Sequence, residues 1–398
     1  MKAAIDREEL LRGVSAVLDV VPSKTALPVL SNILIDASDS KAMRLSATDL
    51  DISIVCTLDA SIEHPGATTV PARKFAEITR ELPDQALQLT AEEGQVTIQR
   101  QGNAEGTYVL MSVPAEDFPE LPSQIEGPEL LFTGDTDADK EADGDVLRGM
   151  IFKTAFAVSR DETRPVLNGV LWQVGNGRMT MVATDGHRLV KYAKSLSLVP
   201  EAEVVAEAIV PPRALNHLVK LMSAGSTLAR VQFGQSHVMF DLVSSNASEE
   251  TEAGRIRLFS RLIEGPYVDY EQVIPQNNGK RLQVSNTLLA PAVRRVAILS
   301  SSQTHQVRLK LGTNEIDLSA NNQEIGGEAR ETLEADYVDE EMTIGYNSAY
   351  LLDILRRVDS DDVLLELDSP VSAGIIRPLQ QPEGEDFLCL IMPLRIND

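Results

Sequence analysis

The side chains best suited to chemistry cluster in one short stretch. Residues 181–189 read MVATDGHRL, an apolar run ending in Asp185, Gly186, His187, Arg188 and Leu189. A carboxylate, an imidazole and a guanidinium this close suit acid–base chemistry or a metal site. Catalysis asks for more: a nucleophile within reach of its base, or several ligands in register. The five histidines are His64, His187, His217, His237 and His305, and none falls in an HExxH pattern. Cys56 and Cys389 form no CxxC pair, and the chain has no P-loop or glycine-rich phosphate fingerprint. A second acidic group, Asp135, Asp137 and Asp139 in TGDTDADKEADGD (133–145), has the alternation of a calcium loop. Lys140 stands where such a loop needs glycine and Val146 where it needs a bidentate glutamate, so it reads as a solvated acidic loop. The expectation is no catalytic residue, no metal and no cofactor, with Asp185 and His187 in a hydrogen-bonded turn.

The elements that would hold this turn occur more than once. Residues 43–52, MRLSATDLDI, share its frame, and Asp185 lies 136 residues beyond Asp49. Amphipathic helical spacing appears at 6–21, 146–160 and 285–299, and again at 69–82, 209–223 and 344–358. The stretches at 69 and 209 open with Val-Pro, and proline suits a first helical turn. Asn347 offers an N-cap to the stretch at 344. Between the helices lie strand–turn–strand patterns at 29–49, 166–185 and 307–321, then at 87–99, 230–242 and 363–376. Apolar strands at 108–113, 257–262 and 387–392 close each third. The order predicts an α+β fold of three tandem domains, 1–125, 126–267 and 268–398, each with two helices and about eight strands. Polar insertions at 133–145 and 244–254 interrupt the middle copy.

The chain has 398 residues and is strongly acidic, with 36 Lys+Arg against 60 Asp+Glu. Such a balance argues against general phosphate binding, unless the positive charge is concentrated. It is concentrated. The stretches 70–80, 146–160, 210–224, 284–300 and 345–358 hold 12 basic residues against Glu77 and Asp353 alone. Arg213 is one of them. The first helix departs, with Asp6, Glu8 and Glu9 against Arg7 and Arg12. Shared basic helix faces point to a polyanion. Aromatics make up 4% of the chain, too few for stacking on unpaired bases, and no helix-turn-helix, zinc-finger or RNP signature is present. Sequence-blind contact with duplex phosphates remains. Two cysteines and an N-terminus without an apolar leader fit a reducing cytosol. A nuclease would need clustered carboxylates, and a repeat scaffold without DNA would not need basic helices.

Five motifs, VPARKF (70–75), ATDGHRL (183–189), AILS (297–300), DSPVS (368–372) and MPLR (392–395), resemble the bacterial DNA polymerase III beta subunits, the sliding clamps. The resemblance spans the chain in order. It implies a head-to-tail homodimeric ring with helices inside and sheets outside, encircling duplex DNA without catalysis in the cytoplasm at the nucleoid. It implies DNA-facing residues Lys24, Arg73, Arg160 and Arg164, with Pro165 and Val166 where some members carry aromatics. Tyr108 and Leu110 match one side of the subunit interface, and Ile298 and Leu299 the other. The replicative polymerase, the clamp loader and repair proteins would dock by short linear motifs in a cleft between the second and third domains. The matching positions are Leu167, Thr184, Gly186, His187, Arg188, Leu189, Val268, Val273, Pro370, Leu390, Met392, Pro393, Leu394 and Arg395. Apolar members would take anchor side chains, while Arg188 and Arg395 would grip peptide carbonyls or a carboxylate. Val268 stands where proline is common in the family, and Gln272 where arginine is common.

Overall fold

The computed structural model describes all residues except 40–41, 101–102, 133–136, 245–246, 248–251, 323–324 and 397–398. Its six helices, counted among the described residues, are α1 (Arg7–Leu18), α2 (Ala72–Glu81), α3 (Asp137–Thr154), α4 (Pro212–Ser223), α5 (Asn286–Ala297) and α6 (Ser348–Leu355). Local chemistry starts three of them. Asp6 caps α1 by accepting the Glu8 N–H at 2.9 Å. Asn347 caps α6 by accepting the N–H groups of Ala349 (2.9 Å) and Tyr350 (3.3 Å), as its position predicts. Such caps contribute about 1 kcal/mol each. Pro212 takes the first position of α4, where its missing N–H costs no helical bond.

Helix α3 departs from expectation at both ends. The stretch read as the end of a solvated loop is helical from Asp137. Asp135 lies outside the described residues, as does most of the second polar insertion. At the other end α3 stops at Thr154 and yields to a single 3₁₀ turn, Ala155–Ala157. The Ser159 N–H donates to the Leu167 carbonyl at 2.8 Å, so Arg160 lies on a loop rather than a helix. No helix among the described residues is long and apolar enough to cross a membrane.

Strand pairing is antiparallel throughout the described ladders, and it does not follow the repeat boundaries. The chain packs as two compact units. The first comprises residues 1–148 and 213–262, the second 149–212 and 263–398. The first unit holds a five-stranded sheet, ending at Asn103–Met111, and a nine-stranded sheet. In the latter, Ile52–Leu58 of the first repeat pairs with Arg255–Arg261, the closing strand of the second, and Ser53 faces Phe259. The second unit holds an eight-stranded sheet built the same way. Arg188–Ser195 pairs with Glu385–Ile391, the closing strand of the third repeat, and Leu189 faces Leu390. Its four-stranded sheet begins at the edge strand Gly327–Glu334. Each long sheet thus joins the strand after a Thr-Asp turn to the closing strand of the next repeat.

Candidate functional site

The MVATDGHRL strand ends in a tight turn held by its own side chains. Thr184 Oγ1 donates to the Arg188 carbonyl at 2.7 Å and accepts the Gly186 N–H at 3.1 Å. Asp185 Oδ1 accepts the N–H groups of His187 (2.9 Å) and Arg188 (3.0 Å). The turn after MRLSAT repeats these bonds. Thr48 Oγ1 donates to the Ile52 carbonyl (2.9 Å) and accepts the Leu50 N–H (3.0 Å), and Asp49 Oδ1 accepts from Asp51 (3.1 Å) and Ile52 (2.8 Å). The residue after the Asp has a positive φ in both, +88° at Gly186 and +82° at Leu50. Glycine adopts this conformation without strain and leucine does not. The His187 ring does not bond Asp185. It stacks on Tyr350, centroids 6.1 Å apart.

Arg188 corrects the sequence reading. Its side chain is 9% exposed and points inward. Nε donates to Asp185 Oδ2 at 3.1 Å, Nη1 to Asp353 Oδ2 at 2.8 Å and Nη2 to the Phe156 carbonyl at 3.1 Å. The guanidinium also lies over the rings of Phe156 (5.0 Å) and Tyr350 (4.5 Å). A buried charge is tolerated only when paired and bonded, and these partners occupy it. Arg188 therefore pins the turn to α6, with three of its donors engaged inside the protein. The signal was present in sequence: Asp353 is the lone acid of a stretch otherwise stripped of acids. Arg357 joins the same stack, 4.6 Å from both Phe152 and Phe156. Burial lowers its pKa, with Asp353 opposing.

The other cleft candidates divide into floor and rim. Leu189 and Leu390 are each 2% exposed and belong to one apolar cluster with Leu171, Val182, Tyr270 and Ile375. Leu167 and Thr184 are also buried, so all four support the surface from beneath. Val166, Tyr267, Ile274 and Ala373 pack against the cluster from its edge. Val268, Val273, Pro370 and Met392 are exposed on segments that adjoin these edge residues or, for Met392, the turn itself. The Met392 N–H donates to the His187 carbonyl at 2.8 Å, which ties the C-terminal segment to the turn. The Leu394 N–H donates to the Gly345 carbonyl at 2.8 Å. Pro393 and Leu394 are half-buried, and Arg395, Gly186 and His187 are exposed. Sequence reasoning missed Tyr267 and Tyr270. Both sit in YVDY, an aromatic pair in a chain poor in aromatics. Burial raises both phenol pKa values, Tyr270 to about 12, and Tyr270 donates to Gln173 Oε1 at 2.7 Å.

The basic helices are less bare than composition implies. Arg213 pairs with Asp49, Lys220 with Asp19 at 2.7 Å, Lys153 with Asp359 at 2.9 Å and Arg295 with Glu331 at 2.7 Å. The acids come from elsewhere in sequence, which is why a helix-by-helix count misses them. Arg213 is thus tied to a turn, and Arg164 pairs with Asp161 at 3.2 Å. Lys24, Arg73 and Arg160 are exposed, with no ion pair among the described residues. The subunit-contact candidates are not core either. Tyr108 is 41% and Ile298 75% exposed, while Leu110 and Leu299 are half-buried.

The arrangement is that of a modular binding protein: repeated turns spent on their own hydrogen bonds, an apolar floor with an exposed rim, and cations on helices. Sequence models of the DNA polymerase III beta subunit match three successive pieces: the N-terminal domain at 1–122, the central domain at 141–269 and the C-terminal domain at 271–395. The beta sliding clamps of Chlamydia muridarum and Escherichia coli K12 are 30% and 31% identical, each alignment covering 100% of both chains. A DNA polymerase sliding clamp from Caulobacter crescentus superposes with a TM-score of 0.85 at 32% identity, covering 100% of both chains. The chain belongs to the DNA polymerase III beta subunit family, the beta sliding clamps. It is a DNA sliding clamp for replication, a non-catalytic processivity factor.

Proposed function

We propose that two copies of this chain close head to tail into a ring around duplex DNA, and that partner proteins dock on the second unit. The observation that carries the ring is the pairing rule of the sheets. The strand after the first repeat's turn pairs with the closing strand of the second, and the strand after the second repeat's turn with that of the third. The same rule leaves two strands over. Gly327–Glu334 of the third repeat and Asn103–Met111 of the first are both sheet edges. Edges with open backbone groups invite pairing. Joining them between copies extends the rule, and a heterologous contact of this kind can close after two steps. Tyr108 and Leu110 lie on one edge strand. Leu299 lies beside the other, its Cδ2 3.1 Å from where a Cβ on Gly327 would stand, and Ile298 precedes it.

In this ring the three repeats, 1–125, 126–267 and 268–398, present their helices to the hole. Lys24, Arg73 and Arg160 meet phosphates directly, and Arg164 and Arg213 do so through cations already shared with carboxylates. A wall of partly neutralised cations attracts a duplex without gripping it, which suits sliding. Retention is topological, and the acidic exterior repels DNA elsewhere.

The rim of Gly186, His187, Val268, Val273, Pro370, Met392, Pro393, Leu394 and Arg395 over the floor of Leu167, Leu189 and Leu390 is the proposed docking cleft for short motifs. Replicative polymerase, clamp loader and repair proteins are the proposed occupants, at the nucleoid. Val268 and Gln272 give the rim a motif preference of its own. The test is topological. Protein assembled on nicked circular DNA by a clamp loader should be retained, and released when that DNA is linearised. Equal retention on both forms would overturn the ring.

A further inference from the structure

The pairing rule that equates the two Thr-Asp turns also equates what surrounds them. Matching Asp49 to Asp185 aligns Thr48 with Thr184, Leu50 with Gly186 and Ser53 with Leu189. Strand register then aligns Phe259, opposite Ser53, with Leu390, opposite Leu189. The segments that follow the closing strands correspond as well. Asp117-Phe118-Pro119-Glu120-Leu121 answers to Asp269-Tyr270-Glu271-Gln272-Val273, with Phe118 and Tyr270 both buried. In the first unit these parts enclose a cavity of about 460 Å³. The turn Thr48–Ser53 forms one wall, residues 119–123 another, and His237 and Phe259 complete it. It is the first unit's counterpart of the proposed docking cleft, and its volume falls in the range of ligand sites.

Its chemistry differs from that of its counterpart. The floor exchanges Leu189 for Ser53, whose hydroxyl is 2.8 Å from that of Thr48. The rim carries two exposed carboxylates, Asp51 and Glu120, neither in an ion pair among the described residues. Pro119 and Pro122 withhold two backbone donors from the linker wall and leave its carbonyls. Burial, and then Arg261, hold the His237 pKa below its usual value, so at neutral pH the imidazole does not offset these charges. Leu50, Leu121 and Phe259 supply apolar surface beside them. Arg261 lies across the strand pair from His237, so the two carboxylates outnumber the adjoining cation by one, and the site is rich in acceptors and net negative with a small apolar component.

We propose that this cavity is a second docking site, for a short peptide segment carrying a lysine or arginine beside an aliphatic residue. The proposal rests on reading its counterpart as a docking cleft, and the experiment separates the two. The full chain is titrated calorimetrically with acetyl-Leu-Arg-Leu-amide and with its uncharged analogue acetyl-Leu-Gln-Leu-amide. The arginine peptide should bind more tightly, and D51N together with E120Q should weaken it about tenfold, the scale of a lost charge-assisted hydrogen bond. Met392→Ala should leave it unchanged. The cleft reading is scored separately by a polymerase C-terminal peptide, which Met392→Ala should weaken and the D51N/E120Q pair should not. Equal affinity for the two tripeptides, indifference to the D51N/E120Q pair, loss on Met392→Ala or no binding at millimolar peptide would each overturn the second site. Both carboxylates are exposed, so the variants should fold, and an unchanged melting temperature verifies it.

Discussion

Replacing Arg188 with methionine keeps the aliphatic length and removes the charge. The structure assigns three hydrogen bonds to that guanidinium, two of them to carboxylates. A hydrogen bond to a charged group contributes about 1.5–3 kcal/mol. The Asp353 share belongs at the low end, because that side chain is a third exposed and water replaces part of the loss. Asp185 keeps two backbone donors and is not orphaned. Arg188→Met should therefore destabilise the second unit by about 3 kcal/mol. A double-mutant cycle with Asp353→Asn should return a coupling of about 1–2 kcal/mol. The assay is urea unfolding followed by the fluorescence of Trp172, the single tryptophan, which is buried in the second unit and reports on it alone. Stability within about 0.5 kcal/mol of the parent, with near-zero coupling and a large loss of peptide affinity, would refute the pin and restore Arg188 to the peptide.

Four further outcomes are expected. Met392→Ala should weaken binding of a polymerase C-terminal peptide by about 1–3 kcal/mol in calorimetry with little change in stability, whereas Leu189→Ala should cost about 2–5 kcal/mol of stability, because Leu189 is buried floor. Ile298→Ala with Leu299→Ala should shift sedimentation from dimer to monomer while leaving the melting temperature of the second unit close to the parent. Leu50→Gly should leave stability unchanged or raise it by up to about 1 kcal/mol in thermal melts, and Gly186→Leu should lower it by about 1–2 kcal/mol, since only glycine takes this φ freely. The buried His217 has its pKa lowered by burial and then by Arg213. Its unfolded form takes up a proton first, so stability should fall as pH drops below about 6.5, and His217→Gln should flatten that fall in urea titrations at pH 7 and pH 5.

Much of the fold was legible because its signals are local. Caps such as Asp6 and Asn347 act over two or three residues, and each Thr-Asp turn is held by bonds to backbone groups of its own next four residues. Alternation and helical spacing repeat within a single hairpin or helix. The acidic stretch from Asp137 reads as a loop because it has few apolar residues, whereas in the structure it forms the first part of α3. The YVDY pair stands out in a chain poor in aromatics, but only the fold shows that Tyr270 joins the apolar cluster and Tyr267 packs against it.

The sequence by itself determined the threefold order of elements, the repeated turn, the lack of a catalytic motif and the bias of cations toward helices. These follow from residue types at short spacing, where backbone geometry leaves few alternatives. Only the tertiary structure decided that Arg188 faces inward, that Leu189 and Leu390 lie beneath a surface rather than on it, and that Asp49, Asp359 and Glu331 quench cations far from them in sequence. It also decided that sheets run across repeat boundaries and that Asn103–Met111 and Gly327–Glu334 stand at sheet edges. Those outcomes depend on which distant groups meet. A charge in water and a charge beside a buried carboxylate are written with the same letter.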